Sequence, residues 1–298
     1  MKYVVVGGAG FIGSNIVDKL IEQNHEVVVI DNLSTGNLTN VNPQAQLEYI
    51  DISNTDECDN MVEVMNGADT VFLLAAKARV QPSIEEPVEY EQNNTIGTLN
   101  VLKCASDAGV KRVVYSASSS AYGNTDKLPS KESDPVNPLS PYGAQKYYGE
   151  VMCKMFSQVY DIETVSLRYF NIYGERQNVG GAYAMVIGIF ADQRLNDKPM
   201  TIRGDGEQRR DFTYVGDVVN ANILASQSEN VGNGEVINIS NGDNRSINEI
   251  AAMIGGPTEE VEPVIEPKET LADNSLAREL LGWKPTGNVE KWISEYRK

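Results

Sequence analysis

Histidine is almost absent from this sequence, which carries a single one, His25, among its 298 residues. Catalytic triads built on a histidine base and metal sites built from several histidines are therefore excluded by inventory, and no metal is expected. Cysteine is scarce too: Cys58, Cys104 and Cys153 lie far apart, form no Cys-x-x-Cys pair and leave an odd count. This usage is typical of a reducing compartment, so we expect a cytoplasmic protein with buried structural thiols.

Basic charge is also in short supply. The 25 Lys and Arg residues are outnumbered by 42 Asp and Glu residues, which gives a net charge of −17. Binding to nucleic acid or to an anionic membrane is disfavoured because such partners need a basic surface. Any anionic substrate must instead be held by a local cluster of Arg or Lys. No apolar run approaches ~20 residues and Met1-Lys2 leads straight into a predicted strand, so neither a membrane span nor a signal peptide is expected.

Glycine is plentiful close to the N-terminus, where it forms a recognisable turn. The apolar run Tyr3–Val6 leads into Gly7 to Gly13 (GGAGFIG), and a helical pattern follows from Ser14 to Glu22. Glycines in this register let the backbone turn sharply and approach a pyrophosphate, while free N–H groups at the helix start face its charge. We therefore expect a dinucleotide cofactor at this turn.

An acidic residue at the end of the second strand indicates which dinucleotide is bound. The apolar run Val27–Ile30 ends in Asp31, 18 residues after Gly13. A carboxylate there can bond the adenosine ribose and would repel a 2′-phosphate, so the pattern predicts NAD rather than NADP. The alternative is an ordinary tight turn followed by a solvated Asp. The combination of strand, glycines, helix, strand and acid argues against it.

Short apolar runs then alternate with helical patterns up to about residue 170. Strands are predicted at Leu47–Ile50, Thr70–Ala75, Arg112–Ser116 and Glu163–Arg168, with helices at Thr55–Met65, Pro87–Ala108 and from Pro141 onwards. Apolar runs without two-residue alternation are typical of strands covered on both faces. We predict an α/β fold, a Rossmann-type doubly wound parallel sheet with a smaller α/β substrate-binding region at the C-terminal side.

The regular alternation fades after Tyr169. The predicted later elements are a helix at Ala184–Asn196, a strand at Met200–Ile202, a charged turn at Gly204–Phe212, a helix at Val215–Ser226, a strand at Glu235–Ile239, a helix opened by the capping box Ser246–Glu249, and helices at Asp273–Leu281 and Val289–Arg297. No flexible linker separates them. We predict an NAD-binding domain from 1–170 plus about 213–240, and a substrate-binding domain from about 171–212 plus 241–298.

The residues best suited to chemistry lie at a strand end and on the following helix. Ser118 ends a small-residue strand, and Tyr142 and Lys146 are four residues apart, which places them on one helical face. A nearby ammonium favours the phenolate form of tyrosine, so Tyr142 could exchange a proton near neutral pH while Ser118 orients the reacting oxygen. The alternative is a surface Tyr and Lys on an amphipathic helix; the glycine turn and the serine-rich strand end argue against it.

These motifs together resemble the extended short-chain dehydrogenase/reductases, in the nucleotide-sugar epimerase branch typified by UDP-galactose 4-epimerase. The resemblance covers essentially the whole chain. It is carried by the glycine turn, Asp31–Leu33, Asp51-Ile52, Leu74–Ala76, Asn93-Asn94 with Gly97–Leu99, Ser118–Gly123, Ser140–Gly143 with Lys146, Arg168–Asn171, Arg210–Phe212 and Leu271–Asp273.

The resemblance implies NAD-dependent 4-epimerisation of a UDP-hexose through a transient 4-keto sugar. Ser118, Tyr142 and Lys146 would be catalytic, with Lys146 holding the nicotinamide ribose and lowering the Tyr142 pKa. The implied cofactor-binding residues are Gly7, Gly10, Phe11, Ile12, Gly13, Asp31, Asn32, Asp51, Ile52, Leu74, Ala75, Ala76, Asn93, Tyr142, Lys146 and Tyr169. The implied substrate-binding residues are Ser118, Ser119, Tyr142, Asn171, Arg203, Arg210 and Thr270. A homodimer through the helices Pro87–Ala108 and Tyr142–Gln158 is implied as well.

Two departures from the family pattern bear on the reaction and its substrate. Ser119 and Ser120 stand where sugar dehydratases and decarboxylases carry acids, which disfavours elimination chemistry. The segment Pro263–Lys268 lacks the Arg-x-Gly-Asp pattern of relatives, so Lys268 is a candidate replacement for a phosphate contact. Small Thr270, three residues before Asp273, implies room for an N-acetyl group, and UDP-N-acetylglucosamine and UDP-N-acetylgalactosamine join UDP-glucose and UDP-galactose as expected substrates.

Three other functions stay open from the sequence. The chain could be a UDP-glucuronate 4-epimerase, or a nucleotide-sugar oxidoreductase with net turnover, which would release NADH stoichiometrically. A non-catalytic, NAD-sensing Rossmann protein is a more remote alternative, because binding alone requires no Ser118, Tyr142 and Lys146 relay.

Overall fold

Residues 1–179, 185–264 and 266–296 are described in a computed structural model. The predicted helix start at Ala184 and the predicted helix end at Arg297 lie outside these residues. Within them, no helix is long and apolar enough to cross a bilayer.

The described residues form thirteen strands. They are β1 (Lys2–Val6), β2 (Glu26–Ile30), β3 (Gln46–Glu48), β4 (Thr70–Leu73), β5 (Arg112–Ser118), β6 (Glu163–Tyr169), β7 (Ile172–Tyr173), β8 (Met200–Arg203), β9 (Arg209–Asp211), β10 (Thr213–Tyr214), β11 (Asn233–Ile239), β12 (Asn244–Ser246) and β13 (Thr258–Val261). The sequence predicts eight of them: β1 to β6, β8 and β11. Seven of them form one sheet in the order β11-β6-β5-β4-β1-β2-β3, and every neighbouring pair is parallel. The predicted Rossmann-type parallel sheet is confirmed.

Helices cover both faces of this sheet. They are α1 (Phe11–Glu22), α2 (Cys58–Met65), α3 (Val80–Glu85), α4 (Pro87–Glu91), α5 (Gly97–Asp107), α6 (Pro141–Val159), α7 (Val186–Leu195), α8 (Val215–Gln227), α9 (Ile247–Ile254), α10 (Ser275–Leu281) and α11 (Val289–Tyr296). Side chains of α1, α8 and α10 pack on one face, and side chains of α2, α5 and α6 pack on the other.

The central strand β1 shows why the sheet is buried on both sides. Tyr3 and Val5 point into one hydrophobic core and Val4 and Val6 into the other, because successive side chains of a strand alternate between faces. All four are fully buried. Continuous apolar runs are therefore required here, and polar alternation would place a polar side chain in a core.

A third hydrophobic core lies in the C-terminal part of the chain. It gathers Tyr173, Ile187, Phe190, Met200, Ile202, Phe212, Ile247, Ile250, Ala251 and Ile293. These residues come from both segments assigned to the substrate-binding domain, which supports that boundary. The division into two domains stays a prediction.

Several elements differ from the sequence prediction. The segment 87–107 is helical, one residue short of the predicted end, but a π-helical stretch, Gln92–Ile96, interrupts it between α4 and α5. Helix α3 was not predicted. The predicted charged turn Gly204–Phe212 contains β9, whose antiparallel partner β12 lies more than thirty residues further along the chain. The residues of β9 are polar and their pairing partner is distant in the chain. Neither an apolar run nor a nearby hairpin turn therefore indicates a strand at this position.

Candidate active site

The glycine turn forms one wall of the site at the carboxyl end of β1. Gly7 has φ +88°, which only glycine adopts without strain, and a Cβ on it would lie 2.6 Å from the backbone nitrogen of Ala75. A Cβ on Gly13 would lie 2.2 Å from the carbonyl oxygen of Gly7. The turn thus brings β1, α1 and the end of β4 into backbone contact. This close cradle fits the pyrophosphate of a dinucleotide at the α1 N-terminus.

Asp31 lies beside this turn, directly after β2. Its carboxylate accepts hydrogen bonds from the backbone N–H of Ala9 (2.9 Å) and of Leu33 (2.8 Å). Burial raises its pKa, and these two bonds oppose that rise because they stabilise the ionised form. The carboxylate is therefore fixed against the glycine turn, where it fits a ribose hydroxyl and excludes a phosphate.

A cavity of about 850 Å³ runs from the glycine turn, across the carboxyl ends of the strands, to the third hydrophobic core. Ligands of open α/β sheets bind at this edge. Every predicted site residue lines the cavity except Asp51, which is not among its described lining residues. Asp51 instead accepts a hydrogen bond from Asn32 Nδ2 at 3.0 Å. Asp51 therefore orients the side chain of Asn32, which lines the cavity.

The π-helical stretch positions the predicted residue Asn93. The side-chain oxygens of Asn93 and Asn94 both accept from the backbone N–H of Lys77, at 3.0 and 2.7 Å. Asn94 Nδ2 donates back to the Lys77 carbonyl and to Gln145 on α6. The widened helix turn thereby fixes the loop that follows β4, and π-helical turns are frequent at functional sites for this reason.

Tyr142 and Ser118 meet in the middle of the cavity. Ser140 caps α6 by accepting from the backbone N–H of Gly143, and this cap places Tyr142 in the first helical turn. The phenol is partly accessible from the cavity, yet burial raises its pKa, while a hydrogen bond with Ser118 and the charge of Arg79 lower it. A hydroxyl pair of this kind can pass a proton to or from a bound alcohol.

Lys146 faces the same cavity one helical turn further along α6, as the four-residue spacing predicts. It is 4% exposed, and its Nζ donates to the carbonyl oxygen of Ser116 at 2.8 Å. Burial lowers its pKa to about 8, against the opposing effect of Glu150. The charge of Arg79 lowers the Tyr142 pKa in this structure, and the expectation that Lys146 also lowers it stays a prediction. The Lys146 ammonium is held against β5 by its bond to Ser116.

Two predicted substrate residues, Asn171 and Thr270, contact each other on the opposite side. Asn171 Nδ2 donates to Thr270 Oγ1 at 3.1 Å, and the backbone N–H of Asp211 donates to the same oxygen at 3.2 Å. Asp211 is fully buried, and its carboxylate accepts from the backbone N–H groups of Asn241, Gly242 and Ala272. This carboxylate ties the Thr270 segment to β9, so the wall of the cavity is fixed where Thr270 projects.

The predicted phosphate-binding arginine is paired in this structure. Arg210 on β9 donates to Glu266 at 2.5 Å and is only 7% exposed. Glu266 belongs to the segment that departs from the family pattern, and it lines the cavity with Val264 and Pro267. Lys268, the proposed replacement, is not among the described lining residues. Arg203, at the end of β8, lines the cavity and is exposed.

Sequence reasoning missed Arg79, which lines the cavity beside Tyr142. Its Nη1 lies 3.3 Å from Met185 Sδ, in the residue before α7. Its position three residues after the strand-end motif Leu74–Ala76 is a usable signal, because the carboxyl ends of the strands face the ligand.

The family of the chain follows from comparison with known proteins. The model of the NAD dependent epimerase/dehydratase family matches residues 3–240. The chain belongs to this family. A curated relative, a putative UDP-glucose 4-epimerase of Methanocaldococcus jannaschii, is 41% identical over 301 residues, with 97% of this chain and 95% of the relative covered. The resemblance to nucleotide-sugar 4-epimerases is confirmed, and with it the expectation of an NAD-dependent isomerase.

Solved structures of family members share the whole fold. The UDP-glucose 4-epimerase of Thermotoga maritima, solved with UDP-glucose, superposes with a TM-score of 0.93 at 36% identity, covering 98% of this chain and 96% of that one. The UDP-N-acetylglucosamine 4-epimerase of Methanobrevibacter ruminantium, solved with UDP-N-acetylmuramic acid, gives a TM-score of 0.92 at 36% identity, covering 99% and 96%. Similarity to both proteins identifies an epimerase of this family. It does not distinguish a sugar with a C2 hydroxyl from one with a C2 acetamido group.

Proposed function

We propose that this epimerase inverts C4 of UDP-hexoses, interconverting UDP-glucose with UDP-galactose and UDP-N-acetylglucosamine with UDP-N-acetylgalactosamine. The single observation that carries the proposal is the meeting of Ser118, Tyr142 and Lys146 in one cavity with the glycine turn. A protein that only bound NAD would need no proton-transfer pair in this cavity. The names of similar proteins, which act on UDP-glucose and on UDP-N-acetylglucosamine, support the substrate class.

The chain's own residues would handle the proton of the sugar 4-hydroxyl. Tyr142 accepts it when C4 is oxidised and returns it when C4 is reduced, and Ser118 bonds the same oxygen in both directions. Bound NAD supplies the two-electron chemistry, since it can take a hydride from C4 and give it back to the other face of the sugar. Ser119 and Ser120 add no general acid, which is consistent with epimerisation and disfavours elimination.

NAD is proposed to lie along the sheet edge in the cavity described above. Gly7 to Gly13 would hold its pyrophosphate, Asp31 its adenosine ribose, and Lys146 its nicotinamide ribose. The surrounding residues would complete the cofactor site: Asn32, Ile52, Leu74, Ala75, Ala76, Asn93 and Tyr169, with Asp51 acting through Asn32. The Tyr169 hydroxyl is held by Ser116 and Asn222, both at 3.0 Å, so its ring is a fixed wall.

The size of the sugar pocket is proposed to depend on Thr270. Its hydroxyl oxygen accepts hydrogen bonds from Asn171 and from the Asp211 backbone, which fix this small side chain in the cavity wall. A threonine leaves space that a larger side chain would fill, and packed sites cannot accommodate extra atoms cheaply. This arrangement supports the acceptance of both a C2 hydroxyl and a C2 acetamido group.

The substrate pyrophosphate is proposed to bind Arg210, with Arg203 close to the uridine side. For this contact Arg210 must exchange Glu266 for oxygens of the pyrophosphate, which carries two negative charges and can be bound bidentately. Before substrate binds, the ion pair with Glu266 compensates the charge of the buried guanidinium.

The test is a panel assay with purified protein. UDP-glucose, UDP-galactose, their N-acetyl forms and UDP-glucuronate would be incubated separately, and the C4 configuration of each product would be read by proton NMR. We expect equilibration of the first four and no accumulation of free NADH. The Tyr142→Phe variant serves as a matched control. Conversion of UDP-glucuronate alone, or stoichiometric NADH release, would contradict the proposal.

A homodimer is proposed to form through α4, α5 and α6. Val88 on α4 is 81% exposed, and Tyr147 and Val151 on α6 are exposed as well. Val88 lines a groove between α4 and α6 together with Pro87, Glu91 and Tyr148. A second copy packed as a four-helix bundle would cover this face, which is apolar in an otherwise acidic molecule.

The cytoplasm is the proposed location. Cys58, Cys104 and Cys153 are all free thiols, and Cys104 and Cys153 are buried. Burial also raises the thiol pKa of both to about 12, so these groups remain protonated and unreactive. Inert, unpaired thiols suit a reducing compartment.

A further inference from the structure

Arg79 occupies a strained position at the entrance of α3. Its backbone has φ +100° and ψ 138°, a region that L-residues other than glycine rarely adopt. Strain of this kind is unfavourable and persists where the surroundings enforce it, commonly at active sites. A glycine would take the same conformation without that cost. The arginine side chain is therefore retained at a position where the backbone disfavours it.

The surroundings that hold this position also hold Tyr142. Ser83 Oγ on α3 donates to the Val80 carbonyl at 2.6 Å and accepts from the backbone N–H of Tyr142 at 3.2 Å. The residue that follows Arg79 and the first turn of α6 are thus joined through one hydroxyl. On its other side, the Arg79 guanidinium is placed by Met185 Sδ. Arg79 and Tyr142, whose backbone segments are linked through Ser83, both line the same cavity.

The ionisable groups around this pair come from several elements. They are Arg79 and Glu85 from the α3 segment, Tyr90 on α4, Tyr115 on β5, Lys146 on α6, and Arg203 and Glu266 from the opposite wall. Among them, Arg79 is the cation whose charge lowers the pKa of Tyr142. Lys146 titrates close to pH 8 in its buried position, whereas an arginine stays protonated at any pH the enzyme meets.

We propose that Arg79 is a positioning residue for the proton transfer, whose guanidinium favours the phenolate form of Tyr142 by electrostatic attraction. The electrostatic role that the motif assigns to lysine is thereby shared with a residue outside the motif. The phenolate is the form that accepts the proton of the sugar 4-hydroxyl, so the proposal rests on the proposed function for its catalytic consequence. The attraction itself is a property of the folded chain and can be measured separately.

The direct test is an absorbance titration of tyrosinate at 295 nm on the NAD-bound protein. Subtracting the titration curve of Tyr142→Phe from that of the parent gives the titration of Tyr142 alone. Subtracting the curve of the double variant Arg79→Gln/Tyr142→Phe from that of Arg79→Gln gives the titration of Tyr142 in the absence of the guanidinium. We expect the Tyr142 transition to move upwards by about one pH unit in Arg79→Gln and to return towards the parent value in Arg79→Lys. An unchanged transition in Arg79→Gln overturns the proposal, whatever the substrate of the enzyme is.

The kinetic test uses the pH profile of kcat/KM with UDP-galactose. The acidic limb should move upwards in Arg79→Gln by the same amount, giving a rate about 10-fold lower on that limb and a convergence with the parent at high pH. Arg203→Gln is the matched control, since it removes an equal charge from the same cavity and should alter KM without moving the limb. An equal displacement by Arg203→Gln overturns the proposal.

A further variant distinguishes the proposed role of Arg79 from misfolding and from a role in substrate binding. Arg79→Gly removes the charge and relieves the backbone strain, so it should stay folded and reproduce both pH displacements. A raised KM with an unmoved limb would assign Arg79 to substrate binding and overturn the proposal. Failure of the parent protein to epimerise any UDP-hexose, with the 295 nm displacement intact, would instead contradict the proposed function alone.

Discussion

Replacing Lys146 with methionine should stabilise the fold while abolishing turnover. The lysine is 4% exposed, and burial lowers its pKa from 10.5 to about 8. One pKa unit is equivalent to about 1.4 kcal/mol, so the protonated ammonium destabilises the folded chain by ~3 kcal/mol at neutral pH. The variant loses the hydrogen bond to Ser116 and the contact with the Tyr115 ring, 5.0 Å from the ammonium, which are each worth about 1 kcal/mol. The expected net gain is about 1 kcal/mol.

The sign of the pH dependence follows from the two pKa values. Because the folded-state pKa of about 8 lies below the ordinary value of 10.5, the unfolded chain binds more protons between these limits. The stability of the parent protein therefore rises through this window, relative to the variant. The advantage of Lys146→Met should be fully present below pH 8 and lost towards pH 10.5.

Urea unfolding followed by circular dichroism measures this difference. Parent and variant, both stripped of nucleotide, would be compared at pH 7, 9 and 10.5, with the exposed Lys19→Met on α1 as the control that should show no such trend. A Lys146→Met variant that is less stable than the parent at pH 7, or a difference that does not change with pH, would refute the reasoning. Such a result would mean that neighbouring groups offset the desolvation cost of the buried ammonium.

Four further predictions address the cofactor, the reaction, the sugar pocket and the assembly. Tyr142→Phe should lower kcat by ~10² to 10⁴ with NAD still bound and the circular dichroism spectrum unchanged; near-normal turnover would contradict its role as the proton-transfer group. Asp31→Asn should reduce the preference for NAD over NADP in calorimetric titrations, and an unchanged ratio of dissociation constants would separate Asp31 from the ribose. Thr270→Tyr should lose activity on the N-acetyl sugars and retain it on UDP-galactose, whereas equal loss of both would show that this residue does not control pocket size. Light scattering at micromolar concentration should report a dimer that Val151→Glu dissociates, and a monomeric parent would refute the assembly.

The local part of the site could be predicted because its signals lie within a few residues. The glycine turn, Asp31 at the end of β2, and the pair Tyr142 and Lys146 each depend on one strand end or one helical turn. The glycines are required by the local backbone, as the close approach of Gly7 to Ala75 illustrates. Parallel strands end at one edge, so the sequence also predicts that these elements meet there.

The electrostatics of the site could not be predicted in this way. Lys146 directs its ammonium to Ser116, Arg79 influences Tyr142, and Glu266 binds Arg210. The last two pairs join residues about sixty positions apart, and their geometry depends on loops whose sequences show no periodic pattern.

The sequence by itself therefore determined the Rossmann sheet and the NAD cofactor and predicted the proton-transfer residues, because hydrophobic periodicity, glycine conformation and helical spacing act over short distances. Only the tertiary structure decided which cation faces the phenol, how Thr270 is held by Asn171 and Asp211, and that a polar segment becomes β9. Those contacts form between segments distant in the chain. Their energies depend on distance, burial and orientation, which exist only once the chain has folded.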